Sequence, residues 1–234
     1  MFYGHHLGIN GEALSLIINE KIELLKNKYP KIYNIYELAQ SLIQEYKNDF
    51  EFKAVYSYYN ASVDVAKNEI FLRLRDVTSN ASNTSITSIK WEGGLERLQE
   101  LIPTETEEEN NIFIFVATVG SKIFEKVAYL KENGDFLKSH ILQSLALSFA
   151  EALAEALTKT LTKVMTEGGG RRDCVRLSPG YAKSFDLEVQ RDIFELLDPE
   201  KNIGVSLSTN LVMSPVASVS AFVFSTCGPS IGGL

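Results

Sequence analysis

Residues Ile112-Phe-Ile-Phe-Val-Ala-Thr-Val-Gly120 form a continuous apolar run of strand length, and no other stretch constrains the fold as tightly. A strand with one wetted face alternates polar and apolar side chains. This one has no polar side to offer, so both faces must be covered and the strand belongs near the middle of a sheet. A helix is predicted over Ser121 to Glu132, closed by Asn133-Gly134.

The longest helical pattern follows, from Phe136 to Met165 with Asp135 as N-cap. Leu142, Leu145, Phe149, Leu153, Leu157 and Leu161 make its apolar stripe, and Ala146, Ala150, Ala152, Ala154 and Ala156 let neighbours approach closely. It reads as a core helix. Glu151, Glu155, Lys159 and Lys163 recur every fourth residue as a charged stripe, with Glu155 and Lys159 in the favourable order for pairing. Glu167 and the glycines 168 to 170 stop the helix.

Earlier in the chain, Glu12 to Tyr29 and Ile35 to Tyr46 have helical periodicity, with Pro30 between them. From Phe52 the period becomes strand-like. Phe52 to Tyr59 and Glu69 to Leu74 suggest an antiparallel pair, Ile86 to Trp91 a further strand or extended edge, and Leu95 to Leu101 a short helix. Tyr56, Tyr58 and Tyr59 serve either as packing beneath the sheet or as a stacking platform for a ring system. Ile203 to Thr209 and Ala217 to Phe224 alternate, and a hairpin-like pair is expected from them across the loop holding Met213 and Pro215. The whole reads as an α+β fold, a twisted and mainly antiparallel sheet with packed helices. Acid-rich Pro103 to Asn111 separates an N-terminal part, 1–110, from a C-terminal part, 111–234, of one continuous domain.

Composition narrows the function classes. With 234 residues, 45% hydrophobic and 23% charged, the chain can bury a sizeable core. A net charge of -7 without a Lys/Arg stripe argues against a nucleic-acid partner. Cys174 and Cys227 lie far apart with no Cys-x-x-Cys pair, and His5 and His6 would face opposite ways in a strand, so no metal site is indicated. A reducing cytoplasm is the simplest setting. No basic leader precedes an apolar segment, and no run reaches the roughly 18 apolar residues of a membrane span, so no membrane association is expected. The sequence has neither Gly-x-x-x-x-Gly-Lys-Ser/Thr nor Gly-x-Gly-x-x-Gly, which removes a P-loop NTPase and a Rossmann-type methyltransferase.

The stretch with most chemical character is Arg176-Leu-Ser-Pro-Gly-Tyr181, followed by a helix over Asp186 to Leu197. Pro179 fixes its own φ and biases Ser178 toward extended backbone, and Gly180 tolerates φ > 0 or close approach by another group. By its residues alone the turn is either a ligand cradle or a corner. Its neighbours add a pattern: Phe194-Glu-Leu-Leu197, Ile203-Gly-Val-Ser-Leu-Ser208, Met213-Ser-Pro215 and Ala217-Ser-Val-Ser220 follow in order. That ordered set resembles the activation (reactivation) domain of cobalamin-dependent methionine synthase, over about residues 112 to 225.

The resemblance implies a stand-alone activation subunit. Such a subunit binds S-adenosylmethionine (AdoMet) and docks on the cobalamin module of a methionine synthase partner. One electron from a flavodoxin- or ferredoxin-type reductant then converts Co(II) to Co(I), and AdoMet methylates it. By the same resemblance Arg176 contacts AdoMet through its side chain, Ser178 contacts it through backbone within the turn that Gly180 completes, Tyr181 lies toward the cobalamin, and Glu151 faces the corrin side of the cleft. No residue acts as catalytic acid or base. The chain departs from the long-form domain at Ala182, where that domain has proline, and near Ile231, where it has an AdoMet-contacting tyrosine. Those departures leave two alternatives, a docking protein that does not bind AdoMet and a reactivator of another corrinoid methyltransferase.

Overall fold

The structure, a computed structural model, describes residues 33–64, 69–74, 86–90, 110–166, 173–181 and 186–226. The expectations for His5 and His6, the helices 12–29 and 95–101, the acidic connection 103–109, the glycines 168–170, Ala182, Cys227 and the C-terminal tail lie outside these residues. In chain order the elements are α1 (Tyr33–Tyr46), β1 (Lys53–Asp64), β2 (Glu69–Leu74), β3 (Ile86–Lys90), β4 (Asn110–Thr118), α2 (Lys122–Glu132) and α3 (Phe136–Thr166). There follow β5 (Asp173–Leu177), α4 (Val189–Leu197), α5 (Pro199–Ile203), β6 (Ser206–Leu207), β7 (Met213–Ser214) and β8 (Ser218–Thr226).

Six strands make one antiparallel sheet in the order β3-β2-β1-β4-β8-β5, with strands from either side of residue 110. The apolar strand β4 is central, hydrogen-bonded to β1 and β8 in registers that place Val55 and Ser220 opposite Val116. Its period of two sorts the core into halves. Phe113, Phe115 and Ala117 enter a cluster with Leu42 of α1, Ile123 and Leu130 of α2, and Leu142, Phe149, Leu153 and Leu157 of α3. Ile112, Ile114 and Val116 enter the opposite cluster with Val189, Ile193 and Leu197 of α4 and Ile203 of α5. The sheet is therefore covered by helices on both faces, as the missing polar side of β4 requires. Phe115, Phe222 and Phe224 are among the largest fully buried side chains, each worth about 1.5–3 kcal/mol relative to exposure.

Helix α3 has the expected limits within one residue, and the Asp135 carbonyl accepts the Ser139 N–H at 2.9 Å, as an N-cap's does. It is long and apolar enough to cross a membrane by length and composition, but half of its most apolar window is buried inside the protein. Its Glu155 and Lys159 pair at 3.0 Å on the exposed side. Helix α2 closes as predicted, with Gly134 at φ +82 and the Asn133 amide capping the Tyr129 carbonyl at 2.8 Å. Tyr56 and Tyr58 pack against Phe113 and Tyr59 is buried in the opposite cluster, so the tyrosines are packing residues.

Three local differences have physical causes. Strand β1 runs on past Tyr59, the limit read from sequence, to Asp64, because β4 supplies ladder partners up to Ala61 and β2 up to Asp64. Residues 203–209 do not pair with β8. Pro199 starts helix α5, Gly204 at φ +74 ends it, and the chain then makes a separate two-stranded ribbon of β6 with β7. The alternation of Ile203 and Val205 thus comes from a helix end and the turn beyond it, both facing the core. Strand β5, read from sequence as part of an irregular turn, forms the edge of the main sheet beside β8.

Candidate functional site

Strand β5 determines where Arg176 points. Its residues lie opposite β8 in the register Arg176↔Val223 and Leu177↔Phe222. Directly opposed residues share a face of the sheet, so Arg176 takes the face of Val223, covered by α3, while Leu177 joins Phe222 under α4. Cys174, two residues before Arg176, also packs on the α3 side. On α3, Ala150, Ala152, Leu153 and Ala154 are buried, and Glu151 sits among them at the helix margin.

These two placements bring two of the predicted site residues together. Arg176 Nη2 donates to Glu151 Oε1 at 2.9 Å, with 27% of the arginine side chain and 41% of the glutamate side chain exposed. The contact is single rather than forked. A bidentate Arg–carboxylate pair would use both oxygens, but here Glu151 Oε2 and Arg176 Nη1 are each sealed from solvent and have no hydrogen-bond partner among the described residues. Glu151 therefore pairs across to β5, whereas Glu155 pairs along the helix with Lys159, although the two glutamate side chains are about equally exposed, 41% and 42%.

Beyond β5 the chain turns sharply. Tyr181 N–H donates to the Ser178 carbonyl at 3.2 Å, and Gly180 lies at φ +81, which with Pro179 before it is the arrangement of a type II turn. Glycine suits the φ at this position, and a Cβ built there would lie 3.1 Å from Leu187 Cδ1, so that side-chain end would have to give by a few tenths of an ångström. The carbonyl of Ser178 is engaged in closing the turn, Pro179 is buried, and Tyr181 projects outward, 84% exposed. The Asp186 carboxylate accepts the Glu188 N–H at 3.2 Å where the chain re-enters a helix. Arg191 on that helix pairs with Glu188 at 2.7 Å and donates to the Thr209 carbonyl at 3.1 Å, fixing the loop after β6.

Arg176, Glu151 and the turn thus share one end of the sheet edge, with Ser178 and Gly180 inside the turn and Tyr181 at its outer tip. Chemically the arrangement offers a permanent cation, a carboxylate and a closed turn, each of the charged groups retaining hydrogen-bonding capacity. Among the described residues no group of three His, Cys, Asp or Glu side chains could hold a metal ion. The partnership of Glu151 with Arg176 was not read from the sequence. The one signal for it is the alternation Cys174-Val-Arg-Leu177, which as a strand puts Arg176 on the α3 side.

A search of curated proteins finds no match. In the solved structures, the crystal structure of the MetH reactivation domain bound to AdoHcy is similar in fold, with a TM-score of 0.66 at 19% identity, covering 86% of this chain and 67% of that one. The family model of the vitamin B12 dependent methionine synthase activation domain matches residues 19–229, and this chain, which has that domain's mixed helix and antiparallel-sheet architecture, belongs to the methionine synthase activation domain family.

Proposed function

We propose that this chain is a stand-alone activation subunit that binds AdoMet beside the Arg176 turn and docks on the cobalamin module of a methionine synthase for reductive remethylation. The observation that carries the reading is the buried, unpartnered Nη1 of Arg176 next to an exposed, rigid turn. A permanently charged planar donor with a free N–H fits a ligand carboxylate, and leaving it unsatisfied would cost about 1–3 kcal/mol. Family membership supports the same ligand class, since a structurally similar reactivation domain is bound to AdoHcy. AdoMet, when bound, supplies a methyl group to reduced cobalt on the partner. The residues of this chain bind and orient: Arg176 holds the carboxylate end, the Ser178–Tyr181 turn fixes the ligand's direction, and Tyr181 meets the cobalamin module. Positioning of this kind accounts for catalysis without a general base on this chain. A flavodoxin- or ferredoxin-type protein supplies the electron, and the cytoplasm is the compartment in which these partners meet.

Calorimetry with AdoMet and AdoHcy tests the site. Saturable binding that Arg176→Ala weakens at least tenfold supports it; no binding, even with a holo cobalamin module added, leaves a docking scaffold without AdoMet. Remethylation of cob(II)alamin on a separately supplied module, dependent on this chain, AdoMet and a reductant, tests the activity. If the chain acts only on a different corrinoid methyltransferase, the methionine synthase module will show no response.

A further inference from the structure

We propose that Glu151 is a specificity-determining residue that selects ligands with a free α-ammonium group, so that Glu151 and Arg176 together form a clamp for a zwitterionic α-amino acid head. The inference rests on the reading that an AdoMet-type ligand binds at the turn, and it assigns to Glu151 a role distinct from facing the corrin. The argument starts from the geometry of the pair. One oxygen and one nitrogen are spent on each other, Nη2 to Oε1 at 2.9 Å, and the remaining pair, Oε2 and Nη1, is buried and unpartnered. A buried carboxylate oxygen without a donor and a buried guanidinium N–H without an acceptor are each unfavourable alone. An α-amino acid offers the complementary set, an ammonium that donates and a carboxylate that accepts, on one carbon. A simple carboxylic acid would satisfy Nη1 and leave Oε2 unmet, and would also place its negative charge beside Glu151 without compensation. The Arg176 contact holds the Glu151 carboxylate in place at the helix margin, where 41% of its side chain faces outward.

The experiment compares AdoHcy with its des-amino analogue, in which hydrogen replaces the α-amino group, by calorimetry on the full chain and on Glu151→Gln. The wild-type protein is expected to prefer AdoHcy by about ten- to a hundredfold, the worth of one hydrogen bond to a charged group. In Glu151→Gln the preference should collapse to within a few-fold, mostly through weaker AdoHcy binding, while the analogue binds as before or more tightly. Equal wild-type binding of the two ligands overturns the inference and leaves the AdoMet reading standing. Equal weakening of both ligands in the variant also overturns it, since Glu151 would then only hold Arg176 in place. If wild type binds neither ligand, the AdoMet reading falls and this inference with it. The wild-type comparison needs no variant, so a Glu151→Gln protein that failed to fold would still leave the inference open to refutation.

Discussion

Gly120 lies against Glu51 so closely that a Cβ added to the glycine would sit 2.7 Å from the glutamate Cβ. The contact joins the end of the central strand to the segment entering β1, where Glu51 N–H donates to the Val119 carbonyl at 2.8 Å and Gly120 N–H donates to Thr118 Oγ1 at 3.1 Å. Gly120 also has φ +84, a conformation that side chains disfavour. Gly134 has nearly the same φ, +82, with nothing within 4 Å of its would-be Cβ. The Gly134→Ala substitution should therefore cost only the backbone penalty, about 1–2 kcal/mol. Gly120→Ala should cost about 1–3 kcal/mol more, because the atom it strikes is a Cβ fixed to backbone and cannot swing away. Urea denaturation of the two variants measures the difference, and equal midpoints would contradict the close packing.

Glu51 also gives the fold an acid dependence. Its carboxylate accepts from Lys122 at 2.7 Å and faces Lys53 at 3.4 Å. The hydrogen bond from Lys122 is the largest influence and holds the Glu51 pKa below its ordinary value, against the opposing effect of burial. A depressed folded-state pKa means that the unfolded chain takes up the proton first. The stabilisation is thus complete above the unfolded carboxylate pKa of about 4.3 and is lost as pH falls through the lower folded value. Glu51→Gln should flatten the loss of stability between pH 5 and the acid limit, read from denaturant midpoints at successive pH values.

Asp192 on α4 should behave in the opposite sense. Burial, with Glu195 nearby, raises its carboxyl pKa, so the protonated form suits the folded state better than the charged one. Its contribution is most favourable below the unfolded value of about 3.9 and is lost as pH rises through the folded pKa. Asp192→Asn should therefore raise stability at neutral pH, by under about 1 kcal/mol for a partly buried group, and the gain should vanish in acid. A destabilised Asp192→Asn protein at pH 7 would show that the carboxylate has a compensating partner.

The main architecture was legible because it is written in local periodicity. The unbroken run Ile112 to Val119 required cover on both faces, and it received α3 on one and α4 with α5 on the other. The i, i+4 leucines of α3 likewise marked a buried stripe. The site was less legible because its central contact joins residues 25 apart in sequence. No spacing rule connects Glu151 to Arg176, and the charge periodicity of α3 favoured grouping Glu151 with Glu155 and Lys159. Strand β5 was hidden by its length of five residues and its edge placement, where one neighbour suffices. Residues 203–209 misled for another reason: αL backbone at Asp198 and Gly204 brackets a five-residue helix, and the buried Ile203 and Val205 mimic a strand's alternation.

Arg176→Lys should not preserve the site, despite preserving its charge. The guanidinium binds Glu151 with one nitrogen while keeping another in reserve, and a single ammonium cannot hold both geometries at once. We expect AdoHcy binding to weaken by about tenfold or more. The midpoint of unfolding should hardly move, because a partly exposed ion pair contributes only about 0–1 kcal/mol. Calorimetry alongside thermal denaturation separates the two effects, and wild-type affinity in the lysine variant would show that point charge alone suffices.

Tyr181 is the clearest case of a large apolar side chain whose exposure the fold does not explain. It stands at the outer corner of a turn whose backbone is held throughout: Ser178 and Tyr181 by the bond that closes it, Pro179 by burial, Gly180 beside Leu187 in the φ > 0 region. The tyrosine ring itself is 84% exposed, so truncation removes almost no buried surface. Tyr181→Ala should shift stability by less than about 0.5 kcal/mol, the usual range for surface substitutions, and should leave AdoHcy affinity within a few-fold of wild type. If the ring meets the cobalamin module, its loss should instead weaken association with that module by about tenfold, as for an aromatic anchor worth above 1 kcal/mol. Titration of the holo module into the two proteins, read from the corrin absorbance, measures that term directly. Unchanged association with Tyr181→Ala would assign docking to another part of the surface.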